Sequence, residues 1–285
     1  MRKKFIQLVA VVSTLFTFEQ ASASADVVVC AVPQVYSALE SAKEESSNKF
    51  KTYYAPAEDI TSRIANNSGK CSIVISSDEK LAILMLRAEK TSQDNIKPLV
   101  KAPLILWSKD ETLFKNDIKA IKDKKLKSLA LPKASLTPVG FAASQIVKKK
   151  NFPTDYIKYK IFRTEQEFQA FAMVNSGNVQ TGFITKPLIM RDGKTTGSYW
   201  FVPHEYYEPI KYYIINTNST SFRTRKVFKY LLTDNNVHQF FLKAGFEDLD
   251  SKDVVLNADS SSNQIGKIYR RQSYYVLHLA PAVVH

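Results

Sequence analysis

The chain has 285 residues, of which 40 are basic and 27 acidic, and its formal net charge is +13. This length allows two lobes or one large domain with a sizeable core. The basic residues are scattered, with short clusters at 122–127 and 148–150, and they form no arginine-rich aromatic platform. This distribution speaks against nucleic-acid binding and favours a solvated lysine-rich face, although an anionic membrane surface or acidic small ligands stay open as partners.

Residues 1–25 have the pattern of a secretory signal peptide. A basic cluster at 2–4 precedes an apolar run over 5–18, and the small residues Ala23 and Ala25 can each precede cleavage. An uncleaved membrane anchor is the alternative. No other stretch approaches the length of a membrane span, so we expect a soluble periplasmic protein without stable membrane insertion. The leader holds three of the basic residues and one of the acidic residues, which leaves a formal charge of +11 on the rest.

From residue 26 the chain alternates between apolar strand-like runs and amphipathic helical stretches. In the first part, the predicted strands are 26–32, 50–55, 70–77 and 101–110, and the predicted helices are 36–50, 57–69 and 81–90. Gly69 is a suitable helix end, and the strand over 101–110 can leave the first lobe because Pro98 and Pro103 punctuate its approach. Such alternation predicts a parallel sheet built from strand–helix–strand units.

The second part repeats this pattern. The predicted strands are 126–132, 156–162, 179–185 and 208–217, the predicted helices are 137–150 and 164–177, and two more helical stretches lie within 221–246. Thr164 and Glu167 have the spacing of a capping box, and Gly177 suits the end of that helix. The strand over 208–217 can return the chain to the first lobe. A Ser- and Asp-rich linker and an apolar-basic tail follow.

One helix start combines small hydroxyl residues, a proline and a glycine in a chain with only 8 glycines. In "LPKASLTPVGFAASQIVKKK", Thr137 can cap the helix, Pro138 suits its first turn, and Gly140 allows a close approach to the backbone. The unpaired N–H groups at such a start can bind an anion, but most helix N-termini bind only water.

Cys30 and Cys71 lie in two predicted strands, in a chain that we expect to be exported. Disulfides persist outside the cytoplasm, so Cys30 and Cys71 can form one disulfide. Two buried thiols are the alternative. The four histidines are dispersed and show no ligand spacing with the cysteines, which speaks against a metal site. No sequence motif indicates a cofactor.

The order of these elements resembles the type II periplasmic solute-binding proteins of ABC importers, and the detail is most similar to the molybdate-binding family. The stretches that carry the resemblance are "AVPQVYSAL", "ANNSGKCSIVISSDEK", "LPKASLTPVGFAASQIV", "AFAMVNSGNVQTGFI" and "FKYLLTDNNVHQFFLKAGF". The resemblance covers about residues 26–249. It implies an α/β fold of two lobes joined by two crossover strands at the hinge, which close over an oxyanion held by hydroxyls and helix N-terminal amides.

The resemblance implies boundaries and contacts as well. Lobe 1 is predicted to be 26–102 plus 209–249, lobe 2 103–208, and the C-terminal extension 250–285. The predicted ligand-binding residues are Gln34, Ala57, Glu58, Thr137, Val139, Gly140, Arg163, Thr164 and Thr185.

Several of these positions depart from the family pattern. Gln34 and Thr185 replace a Ser and a Tyr of the family and can still donate hydrogen bonds to an oxyanion, whereas Ala57 can offer only its backbone N–H. Glu58, with Asp59 beside it, either competes with an anion for helix N-terminal amides or points to solvent. Arg163 either gives a charge-assisted contact or is an exposed residue at a strand end.

The function implied by the resemblance is capture of molybdate or a similar tetrahedral oxyanion and its delivery to the membrane permease of an ABC importer, by a monomer. Two alternatives remain: a sensor or interaction protein that no longer binds oxyanion, and a phosphate or sulfate receptor on the same fold. An enzyme is not expected, because nucleophile elbows, zinc-binding His motifs and phosphate-cradling Gly-rich loops are absent from the sequence. Adjacent acids at one helix start diverge, which also speaks against paired-carboxylate catalysis.

Overall fold

The computed structural model describes residues 26–250 except 116, 118, 150–151, 192 and 218–220. The predicted signal peptide, and the predicted C-terminal extension apart from its first residue, lie outside the described residues. Within the described part, no helix has both the length and the apolar character needed to cross a membrane.

Strands and helices alternate along the described chain, joined in places by short 3-10 helices. The strands are β1 (Val28–Ala31), β2 (Lys51–Tyr54), β3 (Ile73–Ser76), β4 (Ile96–Ala102), β5 (Leu104–Ser108), β6 (Leu129–Pro132), β7 (Ile161–Thr164), β8 (Thr181–Thr185), β9 (Met190–Arg191), β10 (Lys194–Thr195), β11 (Ser198–Phe201) and β12 (Ile210–Asn216). The helices are α1 (Tyr36–Glu45), α2 (Ala57–Ala65), α3 (Glu79–Arg87), α4 (Lys119–Lys122), α5 (Pro138–Val147), α6 (Thr154–Ile157), α7 (Glu167–Asn175), α8 (Phe222–Thr233) and α9 (Asn235–Lys243).

The strands form two five-stranded sheets. The first has the order β2-β1-β3-β12-β4, and the second has the order β11-β5-β8-β6-β7. In the first sheet β1 is parallel to β2 and β3, while β12 runs antiparallel to β3 and β4. In the second sheet β6 is parallel to β7 and β8, while β5 runs antiparallel to β8 and β11. This arrangement confirms the predicted two-lobed α/β fold. The prediction of a parallel sheet is wrong, because the crossover strands β5 and β12 run antiparallel to their neighbours and make both sheets mixed.

The chain passes between the two sheets twice. Pro103 separates β4 of the first sheet from β5 of the second, so the predicted strand over 101–110 is in fact two strands. The return runs from β11 through 202–209 into β12, the strand that lies between β3 and β4. These crossings lie beside the lobe boundaries that we propose from the sequence, 102/103 and 208/209.

Large apolar side chains fill the space between each sheet and its helices. Leu39 and Phe241 are fully buried in the first lobe, and Trp107 in the second lobe stacks on Phe171 with ring centroids 5.3 Å apart. Full burial of such side chains contributes about 1.5–3 kcal/mol each to folding. The two cores hold the ends of their strands and helices in place where the lobes face each other.

Some predicted elements differ from the structure. Helix α2 ends at Ala65 rather than Gly69, because Asn67 takes the left-handed conformation, with φ of 48°. The segment 156–162 is only partly a strand: α6 and a 3-10 helix precede β7. Strand β11 was not predicted, because "SYWF" is short and follows a glycine-containing turn rather than an apolar run.

The predicted capping box of Thr164 and Glu167 is wrong. Helix α7 begins at Glu167, Gln166 is its N-cap, and the reciprocal capping bonds join Gln166 and Gln169. Thr164 is instead the last residue of β7, and its hydroxyl donates to the Gln166 carbonyl at 3.0 Å. Because the N-cap lies two residues later than predicted, the Glu167 side chain is not needed at the cap.

Cys30 and Cys71 form a disulfide across the first lobe. Cys30 lies in β1, Cys71 lies two residues before β3, and their Cα atoms are 5.5 Å apart. Parallel pairing of β1 with β3 brings the two residues close together, since Val29 pairs with Ile73. The bond therefore ties neighbouring elements of one sheet.

An acidic cleft between the two lobes

A small cavity, of about 50 Å³, lies between the lobes. It is lined by the N-terminal residues of several helices, since Ala57 begins α2, Asp78 caps α3, Pro138 begins α5 and Glu167 begins α7. The first N–H groups of a helix have no partner within the helix, and the helix dipole makes this end positive. The cavity is therefore a place where backbone dipoles favour negative charge.

Glu167 supplies a negative group at this cavity, and it is almost fully buried, at 5% exposure. Its Oε1 accepts hydrogen bonds from the backbone N–H and the hydroxyl of Thr185, both at 2.6 Å. Its Oε2 accepts from Nε2 of Gln34 at 2.7 Å. Burial raises the pKa of Glu167, while the hydrogen bonds from Thr185 and Gln34 oppose that rise. Three donors converging on one carboxylate suit its ionised form.

Side-chain hydrogen bonds join the lobes on both sides of the cavity. Gln34 of the first lobe donates to Glu167 of the second, and Gln166 of the second lobe donates to Glu58 of the first at 2.6 Å. The Lys80 ammonium of the first lobe also donates to the Ser135 carbonyl. The lobes are thus held together by amide–carboxylate and ammonium–carbonyl contacts between residues that line the two cavities or lie next to them.

A second cavity, of about 100 Å³, adjoins the first and shares residues with it, among them Ser77, Asp78 and Thr137. Its lining includes the charged side chains of Lys80 and Lys211 and the apolar side chains of Ile83 and Phe141. The interlobe space therefore has a small acidic compartment at the helix N-termini and a larger compartment of mixed character.

Asp78 gives the cleft a measurable pH dependence. Burial raises its pKa from 3.8 to about 6, against the lowering effect of its hydrogen bond from the Lys80 N–H. A raised carboxyl pKa means that the folded state binds the proton more tightly than the unfolded state does. The stabilisation of the folded state by the protonated Asp78 is therefore complete below pH 3.8, and it is lost as the pH rises through about 6.

We expect Asp78→Asn to gain stability relative to the wild type as the pH rises from 4 to 7. The gain should be about 1–2 kcal/mol, after allowance for water at the cavity edge, and Asn can still cap α3. Urea unfolding of both proteins at pH 4 and pH 7 measures the difference. An unchanged difference between the two pH values would contradict the assignment.

Gly140 allows close packing against its backbone, as predicted, but the group that packs there is the loop 132–137 of the same chain. A Cβ on Gly140 would lie 2.4 Å from the Lys133 carbonyl oxygen and 2.6 Å from the Pro132 carbonyl oxygen. Its N–H is taken by the hydroxyl of Thr137, the predicted N-cap, at 2.9 Å. Gly140 therefore fixes the loop 132–137 against α5, and its N–H is not available to a ligand.

Gly140→Ala should lower the free energy of unfolding by about 1–2 kcal/mol, because the clash forces the loop away from the helix. Alanine is favoured over glycine inside a helix by about 1 kcal/mol, so any loss must come from the clash rather than from helix propensity. Thermal or chemical unfolding measures the change. A more stable Gly140→Ala protein would show that the loop moves freely.

The structure brings together most of the residues predicted to bind ligand. Gln34, Ala57, Glu58, Thr137 and Val139 line the smaller cavity. Thr185 is fully buried behind it and reaches it through Glu167.

Arg163 and Thr164 are outside the lining of both cavities. Arg163 is exposed on β7, and Thr164 bonds to its own loop. Neither residue lines either cavity, because β7 is an edge strand of its sheet and the chain turns towards the cleft only after Thr164. Their contact with a ligand stays a prediction.

Several residues that line the smaller cavity were not predicted from the sequence, among them Ser77, Asp78 and Glu167. Ser77 and Asp78 lie in "ANNSGKCSIVISSDEK", one of the stretches that carry the family resemblance, and this stretch was a usable signal. Glu167 was assigned to a helix cap, and only the tertiary pairing of α7 with β8 and with Gln34 reveals its place.

The sequence profile of the bacterial extracellular solute-binding protein family matches residues 24–247. The molybdate-binding protein ModA of Azotobacter vinelandii is 26% identical over 170 residues, which are 59% of this chain and 67% of that protein. ModA of Rhodobacter capsulatus is 30% identical over 108 residues, 38% of this chain and 41% of that protein.

Solved structures share the fold. The periplasmic molybdate-binding protein of Azotobacter vinelandii aligns with a TM-score of 0.68 at 20% identity, over 79% of this chain and 100% of that one. The sulfate-binding protein SubI of Mycobacterium tuberculosis aligns with a TM-score of 0.56 at 14% identity, over 83% of this chain and 90% of that one.

The two lobes and the cleft between them define a substrate-binding protein. Its relatives are likewise substrate-binding proteins rather than enzymes. The chain belongs to the family of bacterial extracellular solute-binding proteins.

Proposed function

We propose that the protein captures a tetrahedral oxyanion between its lobes in the periplasm and delivers it, as a monomer, to the membrane permease of an ABC importer. The observation that carries the proposal is the convergence of helix N-termini on one cavity between the lobes. The first residues of α2, α5 and α7 and the N-cap of α3 all line this cavity. The N–H groups and the positive dipole ends of these helices favour a bound anion. The molybdate-binding relatives and the sulfate-binding protein of the same fold support a tetrahedral oxyanion as the ligand.

A thermal-shift panel with molybdate, tungstate, sulfate, phosphate and arsenate tests the proposal, with chloride at the same ionic strength as the baseline. An oxyanion at about one hundred times its dissociation constant should stabilise the protein by about 2.7 kcal/mol, which raises the midpoint by a few degrees. No shift with any oxyanion, in a protein that unfolds cooperatively, would overturn it.

A matched pair of variants tests whether the oxyanion binds in the cleft. Ala57→Asp puts a carboxylate beside the first N–H groups of α2, where it favours the helix and opposes an anion. Ser62→Asp adds the same charge to an exposed position of α2 outside the cavity lining. Only Ala57→Asp should abolish the shift. Equal loss in both variants would contradict binding at this cavity.

The second candidate function is a sensor or interaction protein that does not bind oxyanion. It is favoured by one observation: Glu167 already accepts the hydrogen bonds of Gln34 and Thr185, the side chains predicted to hold the anion. The same panel decides between the two functions, because this candidate expects no oxyanion to raise the midpoint.

A further inference from the structure

We propose that Glu167 makes the cleft selective for an oxyanion that keeps a proton at neutral pH, such as phosphate or arsenate, over fully ionised oxyanions such as sulfate and molybdate. This inference rests on the proposed function, because it names which oxyanions the same cavity accepts.

The first step is the charge of the cavity. Its lining among the described residues holds the carboxylates of Glu58, Asp78 and Glu167 and no Lys or Arg. A dianion would meet backbone dipoles but also uncompensated negative charge in a partly buried space, where repulsion is weakly screened, and only a dianion with a proton to donate can offset this repulsion by a hydrogen bond to a carboxylate. The protein as a whole is basic, so this acidic lining is a local feature.

The second step is an excess of acceptors. An ionised carboxylate has about four acceptor sites, and Glu167 uses three of them for Thr185 and Gln34. The side-chain oxygen of Gln34, Oε1, is also buried and has no hydrogen-bond partner within the described part of the chain. Both side chains line the same cavity. A buried acceptor without a donor is costly, so the cavity fits a ligand that brings an O–H group.

The third step compares the ligands. Hydrogen phosphate and hydrogen arsenate can donate their proton to Glu167 or Gln34 while their other oxygens accept from the helix N-termini. Sulfate and molybdate have no proton to donate at neutral pH, so each leaves the acceptors unpaired and adds an oxygen–oxygen repulsion. A site built around a ligand hydroxyl discriminates strongly against analogues that lack it.

Calorimetric titration of the purified protein at pH 7 with phosphate, arsenate, sulfate and molybdate tests this selectivity. We expect phosphate and arsenate to bind about 10- to 100-fold more tightly than sulfate and molybdate. Glu167→Gln replaces the acceptor oxygen by a donor NH₂ and removes the charge, so this ratio should fall to about one or invert. Glu165→Gln is the matched control: it makes the same charge change two residues away, at an exposed carboxylate that pairs with Lys133 outside the cavity, and the ratio should be unchanged.

If the wild type binds sulfate or molybdate as tightly as phosphate and arsenate, or more tightly, the proposed selectivity is wrong. The proposed function as an oxyanion receptor is not affected by that result. A preference for phosphate that persists in Glu167→Gln overturns the role of Glu167. If none of the four anions binds, the receptor proposal itself fails. The wild-type ratios decide the selectivity even where a variant does not fold.

Discussion

Replacement of both Cys30 and Cys71 by alanine should lower the free energy of unfolding by about 4 kcal/mol, the largest single effect that we expect. The disulfide closes a loop with a sequence separation of 41 residues, and constraint of the unfolded chain over loops of this length contributes about 3–4.7 kcal/mol in the chain-entropy description. Both residues are buried, so the lost sulfur atoms add a smaller packing cost.

Urea unfolding of the double variant and of the wild type measures this effect. Wild-type protein unfolded in the presence of a reductant is the control, because it removes the cross-link and keeps both sulfur atoms. It should lose most of the same free energy. A difference of less than about 1 kcal/mol between oxidised and reduced wild type would contradict a cross-link that constrains the unfolded chain.

Thr185→Val should cost about 2–3 kcal/mol at neutral to alkaline pH, the second-largest effect. The hydroxyl of Thr185 donates to Oε1 of Glu167 at 2.6 Å in a fully buried position. Hydrogen bonds to charged groups contribute about 1.5–3 kcal/mol, and valine keeps the shape of threonine while removing the donor. The loss should be smaller at pH 4, below the ordinary carboxyl pKa of 4.5, since burial raises the pKa of Glu167 and the neutral acid accepts more weakly.

Thr181→Val on the same strand is the matched control. Thr181 is also fully buried, but its hydroxyl donates to the neutral carbonyl of Ser128 at 2.6 Å. We expect a loss of about 1 kcal/mol that does not change between pH 4 and pH 8. If the two variants show the same pH profile, the carboxylate of Glu167 is not the group that Thr185 supports.

The sequence predicted the architecture well because the fold depends on local patterns. The alternation of apolar runs with amphipathic stretches from residue 26 marks most strands and helices, and Thr137 with Pro138 marks the start of α5. Predictions failed where a boundary depends on one backbone conformation or on tertiary pairing. Asn67 rather than Gly69 ends α2, and β11 is stabilised by its pairing with β5.

The candidate site was harder to predict than the fold. Residues at helix starts, such as Ala57 and Val139, were included because the family resemblance implies ligand contacts there, and both line the smaller cavity. Arg163 was included on charge alone, although its edge strand directs it to solvent. Glu167 was missed because a Glu three residues after a Thr also fits a helix cap, and its burial against Thr185 is a contact between elements that no local pattern encodes.

Anomalous X-ray diffraction from crystals grown with arsenate, and separately with tungstate, tests the central claim that the interlobe cleft holds an oxyanion. The account predicts an anomalous peak in the smaller cavity, within hydrogen-bond distance of the helix N-termini at Ala57 and Val139, for at least one of the two anions. Data in which neither anion gives a peak there, while peaks lie elsewhere on the surface, would contradict it.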